Sequence, residues 1–237
     1  MKKLQVAAAC AAMFLVVIAL LITSFQIGIY GDPDYGFYEK EYEKYEVTES
    51  LDMTMEQVME VTSYMMDYLI GREDILSIET NVDGRTQDFF NEQDRLHMAD
   101  VRNLFLGGLR LRTACVVLVL LLLGFLAVTR ADIRKEITRG YFFALGVFAA
   151  LIMILLISFA VDFTASFTLF HEIFFTNDLW LFDPAEDFMI RMLPEGFFYD
   201  MVMRIGTFFV GGLVILLALM VGWRRKAFWK YWRRSKD

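Results

Sequence analysis

Two residues in this 237-residue chain stand out for their chemistry, because they are its only histidines. His97 lies in the segment DRLHMADV, and His171 lies in the apolar segment FTLFHEIFFTNDLW. Histidine is the natural general base near neutral pH, since its ordinary pKa is ~6.5. A single histidine on an apolar helical face is more often a neutral core residue. The hypothesis that these histidines are catalytic therefore requires that both imidazoles meet in one site.

Polar and aromatic residues near both histidines could support such a site. Asp94 and Asp100 lie three positions before and after His97, on the same face of a helix, where a carboxylate could orient the imidazole. Asn177 could donate a hydrogen bond to an oxyanion, although a turn is its commoner role. Trp180 belongs to an aromatic cluster expected at the level of the lipid headgroups. The other members of that cluster are Phe163, Phe167, Phe170, Phe174, Phe175 and Phe182.

Several other chemistries are absent from the sequence. The residues after His171 do not complete an H-E-x-x-H zinc motif, and neither a G-x-S-x-G elbow nor a phosphate-binding P-loop occurs. Cys10 and Cys115 both fall in apolar segments, where cysteine usually behaves as a small apolar residue. If the protein is an enzyme, the sequence predicts a base and no covalent nucleophile of the enzyme's own. A metal site built from both histidines and a carboxylate stays open as an alternative.

Four apolar segments are long enough to cross a bilayer, which takes ~20 residues. We predict spans at residues 4–30, 104–129, 141–161 and 205–223. Arg110 and Arg112 lie in the first turns of the second span, and we expect them to extend towards the interface. The first span is too long for a signal peptide and is interpreted as a retained anchor. The fold class is an α-helical integral membrane protein with four transmembrane helices.

Charge predicts the orientation of the spans. Basic residues fill residues 2–3, a cytoplasmic loop at 130–140 and a basic cytoplasmic tail at 224–237, so both termini are placed in the cytoplasm. Residues 31–103 form an extracytoplasmic domain, predicted to be small, mixed and mostly helical, and residues 162–204 form an interfacial loop. Residues 32–102 hold 19 acidic and 6 basic side chains, so the outer domain is acidic. Nucleic acid is not an expected partner.

Local patterns predict elements within the outer segments. The charged segment GDPDYGFYEKEYEKYEV is predicted to be extended or irregular. Thr54 begins a capping-box helix that ends at Gly71, and the Met-rich face of this helix is more typical of a core than of a lipid site. A strand is expected at 75–82, followed by a turn. Asn91 and Asp94 are expected to cap a helix that continues into the second span. Asp183 is expected to cap a short helix before Pro194.

Two segments resemble the signature segments of a known family. HMADV at residues 97–101 and FHEIFFTNDLWLFDPAEDFMIRMLPEGFF at residues 170–198 are similar to those of the lipoprotein intramolecular transacylases. These are four-span membrane proteins of Gram-positive bacteria. The resemblance implies that His97 and His171 are a catalytic pair at the outer membrane face. It also places an acidic residue where Asp94 stands.

The resemblance implies a membrane acyltransferase that acts on a lipoprotein whose N-terminal cysteine carries a diacylglyceryl group. The sn-2 acyl chain would move to the α-amine of the same cysteine, giving the lyso-form lipoprotein. Because the substrate would supply both the amine and the acyl group, the resemblance implies no cofactor. The partners would be the diacylated lipoprotein N-terminus and membrane lipid, and the site would face outwards from the cell membrane. Two alternatives remain: a non-enzymatic sensor or assembly subunit with an acidic outer domain, and a metal-dependent membrane hydrolase.

Overall fold

A computed structural model describes residues 1–234 of the chain, and its side chains through residue 223. The described residues form nine α-helices and one two-stranded sheet. The helices are α1 (Lys2–Tyr30), α2 (Gly36–Lys44), α3 (Val47–Leu51), α4 (Met55–Leu69), α5 (Glu92–Val128), α6 (Ile133–Val161), α7 (Phe163–Phe174), α8 (Phe188–Met192) and α9 (Glu195–Arg234). The strands are β1 (Glu79–Val82) and β2 (Arg85–Asp88).

Four helices are long and apolar enough to cross a membrane, as predicted. They are α1, α5, α6 and the Glu195–Trp223 part of α9. All four helices extend beyond the predicted spans: α1 begins at Lys2, α5 at Glu92 and α6 at Ile133, and α9 runs from Glu195 to Arg234. The predicted loop at 130–140 is therefore mostly helix. Of the predicted tail at 224–237, residues 235–237 lie outside the described part of the chain.

The chain divides into two compact units. The first comprises residues 1–25, 110–157 and 205–237, and it is a helical bundle. Its core contains Val17, Leu126, Tyr141 and Phe148, all buried. The Tyr141 hydroxyl donates to the carbonyl oxygen of Leu213 at 2.6 Å, so the one polar group of this side chain is satisfied inside the bundle.

A glycine sets the distance between α1 and α6 within this first unit. A Cβ atom at Gly140 would lie 2.7 Å from the backbone carbonyl carbon of Ala9, which is closer than real Cβ atoms approach. Two helix backbones can therefore approach here only because the side chain is missing, as is common where small residues line transmembrane helix contacts.

The second unit comprises residues 26–109 and 158–204. Helix α4 begins at the predicted capping box: the Thr54 hydroxyl accepts from the Gln57 backbone N–H at 3.3 Å, and the Gln57 side chain accepts from the Thr54 N–H at 2.9 Å. Met65 and Met66 of α4 are buried, which confirms that its Met-rich face packs into a core.

The prediction of an extended or irregular segment after Gly31 was wrong, since this segment forms α2 and the start of α3. Tyr38 and Tyr42 are four residues apart and both buried, which is the spacing of one helical face. The Tyr42 hydroxyl lies 2.7 Å from that of Thr62 in α4. The high charge of the segment lies on the opposite face of α2, and it hid the tyrosine periodicity.

Two further predicted elements are shorter than expected. The strand covers Glu79–Val82, and it pairs antiparallel with β2 in a register that sets Glu79 against Asp88 and Val82 against Arg85. The short helix before Pro194 begins at Phe188 after Asp187, instead of at Pro184 after Asp183. Asp183 instead accepts from the backbone N–H of Ala185 at 2.9 Å, so it stabilises a turn.

Candidate active site

His171 lies in the last turn of α7, within the second unit. Helix α7 begins directly after α6, where the Asp162 carboxylate caps it by accepting from the Ala165 backbone N–H at 2.9 Å. His171 Nδ1 lies 2.8 Å from the carbonyl oxygen of Phe167. Because a carbonyl oxygen can only accept, Nδ1 must carry the hydrogen. In the neutral ring Nε2 therefore keeps a lone pair that can receive a proton.

His97 lies in the second turn of α5, and its ring centroid is 6.0 Å from that of His171. Both histidines are buried, with 6% and 7% of their surface exposed. His97 also contacts Phe175 and Phe182, at centroid distances of 5.2 and 5.3 Å. Its Nδ1 has no hydrogen-bond partner among the described residues. The two histidines of the chain therefore share one aromatic pocket, as predicted.

Aromatic rings fix the orientation of the second imidazole. Trp180 stacks on His171 with a centroid distance of 4.9 Å and an angle of 26° between the ring planes. Phe167 lies edge-on to the same imidazole at 4.4 Å. The Trp180 indole N–H donates to the carbonyl oxygen of Asn177 at 3.0 Å, which holds the stacked ring in place. Burial among these rings favours the neutral imidazole over imidazolium, since only 7% of the residue is exposed to solvent.

Three hydrogen bonds connect the loop that bears Trp180 to helix α5. The Asn177 side-chain amide donates to Asp100 at 2.9 Å. Gln93 donates to the carbonyl oxygens of Leu179 and Leu181 at 3.2 and 2.9 Å. The loop is therefore held on the same face of α5 that carries His97, one helical turn to either side of it.

The start of α5 is fixed by a partly buried polar network. The Asn91 side chain accepts from the Asp94 N–H at 2.9 Å, and Asp94 accepts from the Asn91 N–H at 3.0 Å. The Asn91 amide also donates to Asp187 at 2.5 Å. Asp94 is fully buried, and its second carboxylate oxygen has no partner among the described residues. This reciprocal cap positions the turn immediately before His97.

Comparison with known families identifies the chain. The family model described as "Lipoprotein intramolecular transacylase Lit" matches residues 10–198. The chain belongs to this family. It is therefore a membrane-integral acyltransferase, as the sequence resemblance predicted.

Solved structures of one transacylase share its fold. The membrane integral lipoprotein intramolecular transacylase Lit from Bacillus cereus matches with a TM-score of 0.76 at 20% identity, over 96% of this chain and 99% of that chain. Its variant with one histidine mutated to alanine matches at 22% identity with a TM-score of 0.76, over 95% and 96% of the two chains. The corresponding arginine variant gives 22% and 0.77, over 97% and 96%. No curated protein matches the chain.

Burial controls the protonation of both histidines in this transacylase. His97 precedes the apolar stretch of α5, and burial together with the neighbouring His171 lowers its pKa to about 4, with Asp100 acting in the opposite direction. Burial also lowers the pKa of His171, and its hydrogen bond to the Phe167 carbonyl opposes this. Both imidazoles are consequently neutral at pH 7. Burial raises the pKa of Asp94 to about 6, against the effect of its bond to the Asn91 N–H.

Of the predicted supporting residues of the transacylase, some contact a histidine and others are hydrogen-bonded elsewhere. Trp180 contacts His171 directly. Asn177 is engaged with Asp100, and its side-chain oxygen accepts from the Leu179 N–H at 3.1 Å, so its amide is not aimed at a substrate carbonyl. None of the hydrogen bonds described within residues 1–223 joins Asp94 to His97, and the same holds for Asp100.

Gln93 was missed by the sequence analysis, because a bond to two backbone carbonyl groups leaves no signature in residue spacing. Asp187 was also missed: it is 5% exposed, and it accepts from Asn91 and from the Asp183 backbone N–H at 2.7 Å. Within the part of the chain that the structure describes, no three His, Cys, Asp or Glu side chains are grouped as a metal ion would require.

Proposed function

We propose that this protein moves the sn-2 acyl chain of a lipoprotein's diacylglyceryl cysteine to the α-amine of the same cysteine, producing a lyso-form lipoprotein. One observation supports the chemistry above all others: two buried neutral imidazoles lie 6.0 Å apart in an aromatic pocket. Membership of the transacylase family supports the reaction class.

The substrate provides both reacting groups in this mechanism. The amine nitrogen attacks the ester carbonyl carbon, forming an eight-membered ring through glycerol O2, C2 and C3, the sulfur, Cβ and Cα. The bond between the carbonyl carbon and glycerol O2 then breaks, and an amide replaces the ester. The protein must hold a flexible lipid in this cyclic geometry, and orientation contributes ~7–11 kcal/mol in favourable intramolecular reactions. Aromatic walls suit the acyl chains that must be held.

His171 is the general base in this proposal. Its Nδ1–H donates to the Phe167 carbonyl, so Nε2 takes the proton that the amine loses as the tetrahedral intermediate forms. The same Nε2–H then returns the proton to glycerol O2 as that oxygen leaves. One imidazole thus balances the reaction, and no other acid is consumed. The sequence left the roles of the two histidines open, and this tautomer is what favours His171 as the base.

His97 is assigned to the carbonyl oxygen. A pKa of about 4 keeps its ring neutral, and a neutral imidazole N–H can stabilise an oxyanion by hydrogen bonding without giving up its proton. Positioned donors of this kind are worth ~10²–10³-fold in rate. Asp94, Asp100, Asn177 and Trp180 have positioning roles, through the cap of α5 and through the loop that stacks on His171.

The site is proposed to lie at the extracytoplasmic face of the cell membrane. The positive-inside rule supports this orientation, because the α5–α6 connection and the segment after Trp223 are rich in Lys and Arg. His97 and His171 belong to the unit that includes the acidic residues 32–102. Diacylated lipoproteins would enter from the outer leaflet, and their N-terminal amine would meet the pocket at headgroup depth.

The proposed reaction is an isomerisation, so the assay must detect position as well as mass. We would express the protein in a host whose lipoproteins are diacylated, and analyse their N-terminal lipopeptides by tandem mass spectrometry. We expect an unchanged total mass, fragments that carry one acyl group on the cysteine nitrogen, and loss of reactivity towards amine-labelling reagents.

Other outcomes of this assay separate the alternatives. Loss of an acyl group would indicate a hydrolase. An unmodified N-terminus would favour the non-enzymatic sensor or assembly subunit. A mixture of light and deuterium-labelled lipopeptides, incubated with the purified protein, tests the intramolecular step: crossing of label between peptides would contradict it.

The pH dependence of the rate follows from the lowered pKa values. Burial lowers the pKa of both imidazoles below the ordinary value of ~6.5, whereas the substrate amine, with a pKa of about 8, must lose a proton before it attacks. We expect kcat/KM to rise about tenfold per pH unit between pH ~6.5 and 7.5, and to level off above pH ~8.

The measurement is the initial rate on a synthetic diacylated lipopeptide in micelles of fixed composition. A slope that approaches a hundredfold per pH unit below pH ~6.5 would show a histidine of ordinary pKa titrating together with the amine, and it would contradict the lowered pKa values of the pair. A glycerol-ester substrate in which the amine is replaced by a hydroxyl group serves as the control, because its attacking group does not titrate in this range.

A further inference from the structure

A cavity lies in the helical bundle of the first unit, and every residue that lines it is apolar. Its volume is ≈ 320 Å³, and α1, α5, α6 and α9 all contribute to its wall. The lining residues used below are Val16, Leu123, Ile133, Ile137 and Trp223. A wholly apolar cavity larger than about 150 Å³ is not a favourable place for water, but it does accept apolar ligands.

The cavity lies at the end of the bundle where basic residues collect. Ile133 and Ile137 belong to the first turns of α6, whereas Trp223 closes the apolar part of α9. Tryptophan favours the level where hydrocarbon meets headgroups. Trp223 is 36% exposed, so the cavity reaches the outside of the bundle beside this ring.

A cation stands at this rim. The Arg134 guanidinium lies 5.5 Å from the centroid of the Trp223 ring, and Arg134 is flanked in sequence by the two lining isoleucines. Residues 130–139, which include Arg134, hold four basic side chains and two acidic ones, and one of the acidic side chains, Glu136, pairs with Arg139 at 3.3 Å. An anionic group above Trp223 would therefore meet a net positive charge.

We propose that this cavity binds one anionic glycerophospholipid, with an acyl chain between the helices and the phosphate headgroup near Arg134. The positive charge at the rim complements the phosphate headgroup of such a lipid, and the apolar walls below the rim complement its acyl chain. The bound lipid would fill space where the helices alone do not pack. This site is independent of the proposed acyl transfer, because no residue of it belongs to the histidine pocket.

Native mass spectrometry tests the proposal on the whole protein, reconstituted in nanodiscs of equal parts phosphatidylglycerol and phosphatidylcholine and then released into mild detergent. We expect one retained lipid, with phosphatidylglycerol favoured about fivefold. Val16→Phe should fill the cavity and abolish retention. Arg134→Gln should keep a lipid but lose the preference for the anionic one. Val117→Phe is the matched control: Val117 is 50% exposed on α5 outside the cavity and should behave as wild type.

A second measurement covers the case in which Val16→Phe does not fold. Dibrominated phosphatidylglycerol should quench the emission of Trp223, obtained as the difference between wild type and Trp223→Phe, more strongly than dibrominated phosphatidylcholine does. The proposal is overturned if wild type retains no lipid or shows no headgroup preference, or if Val16→Phe retains as much lipid as Val117→Phe. Equal quenching by the two brominated lipids would overturn it as well.

Discussion

Replacing His171 by alanine should reduce acyl transfer by about 10²–10⁴-fold, which is the range for loss of a general base. Its Nε2 is the proton acceptor that the geometry favours, since Nδ1 is committed to the Phe167 carbonyl. Without this ring, the proton of the attacking amine must pass to water, which the aromatic walls exclude. The measurement is kcat on the synthetic lipopeptide, with N-acylated product quantified by tandem mass spectrometry.

Two controls separate chemistry from packing in this experiment. Phe170→Ala removes a ring that contacts His171 at a centroid distance of 5.3 Å, but it leaves the imidazole in place. Asn177→Ala removes the side-chain bond from the Trp180 loop to Asp100, but it keeps the two Gln93 bonds to this loop and both histidines. Both controls should retain more than about one-tenth of the wild-type kcat. If His171→Ala unfolds no more readily than these variants and still turns over at their rate, His171 is not the base.

His97→Ala should cause a loss of about 10²–10³-fold, the cost of removing one positioned oxyanion donor. The imidazoles are proposed to act on one tetrahedral intermediate, so their effects should not add. The double variant, His97→Ala with His171→Ala, should be close to the worse single variant, as is seen for groups that act as a unit. A conservative variant, His97→Gln, retains a donor and should recover part of the rate.

Additive losses in the double variant would contradict the shared intermediate, because independent sites add in free energy. The same experiment also tests the assignment of roles. If His97→Ala steepens the dependence of rate on pH and His171→Ala does not, then His97 is the base and the roles must be exchanged.

The pairing of the two histidines was predictable. His97 precedes the second predicted span and His171 follows the third, which places both on the same predicted side of the membrane. Their capping interactions were predictable in part: Asn91 with Asp94 is a local pattern, and the structure contains it. The orientation of each ring was not, since it depends on Trp180 and Phe182, which reach the histidines from far along the chain.

Residue spacing did not predict the hydrogen-bond partners of the two acidic residues near His97. Asp94 and Asp100 were expected to contact His97 because three-residue spacing places them on its face of α5. Asp94 instead caps the helix by accepting from the Asn91 backbone N–H, and Asp100 accepts from the Asn177 side-chain amide. Sequence identifies which side chains share a helix face, but competition among donors decides which of them bond. That competition involves residues that only the folded chain brings together.

The hydrogen bond from His171 to Phe167 is made to backbone, four residues earlier in the same helix. Any residue at position 167 offers that carbonyl oxygen, so the reactive nitrogen of His171 does not rely on the identity of a partner side chain. Homologous proteins are therefore free to change their sequences widely around this turn without losing the tautomer. Transplanting α7 alone into another four-span scaffold should carry this hydrogen bond with it, whereas the ring that stacks on His171 would have to come from the new scaffold.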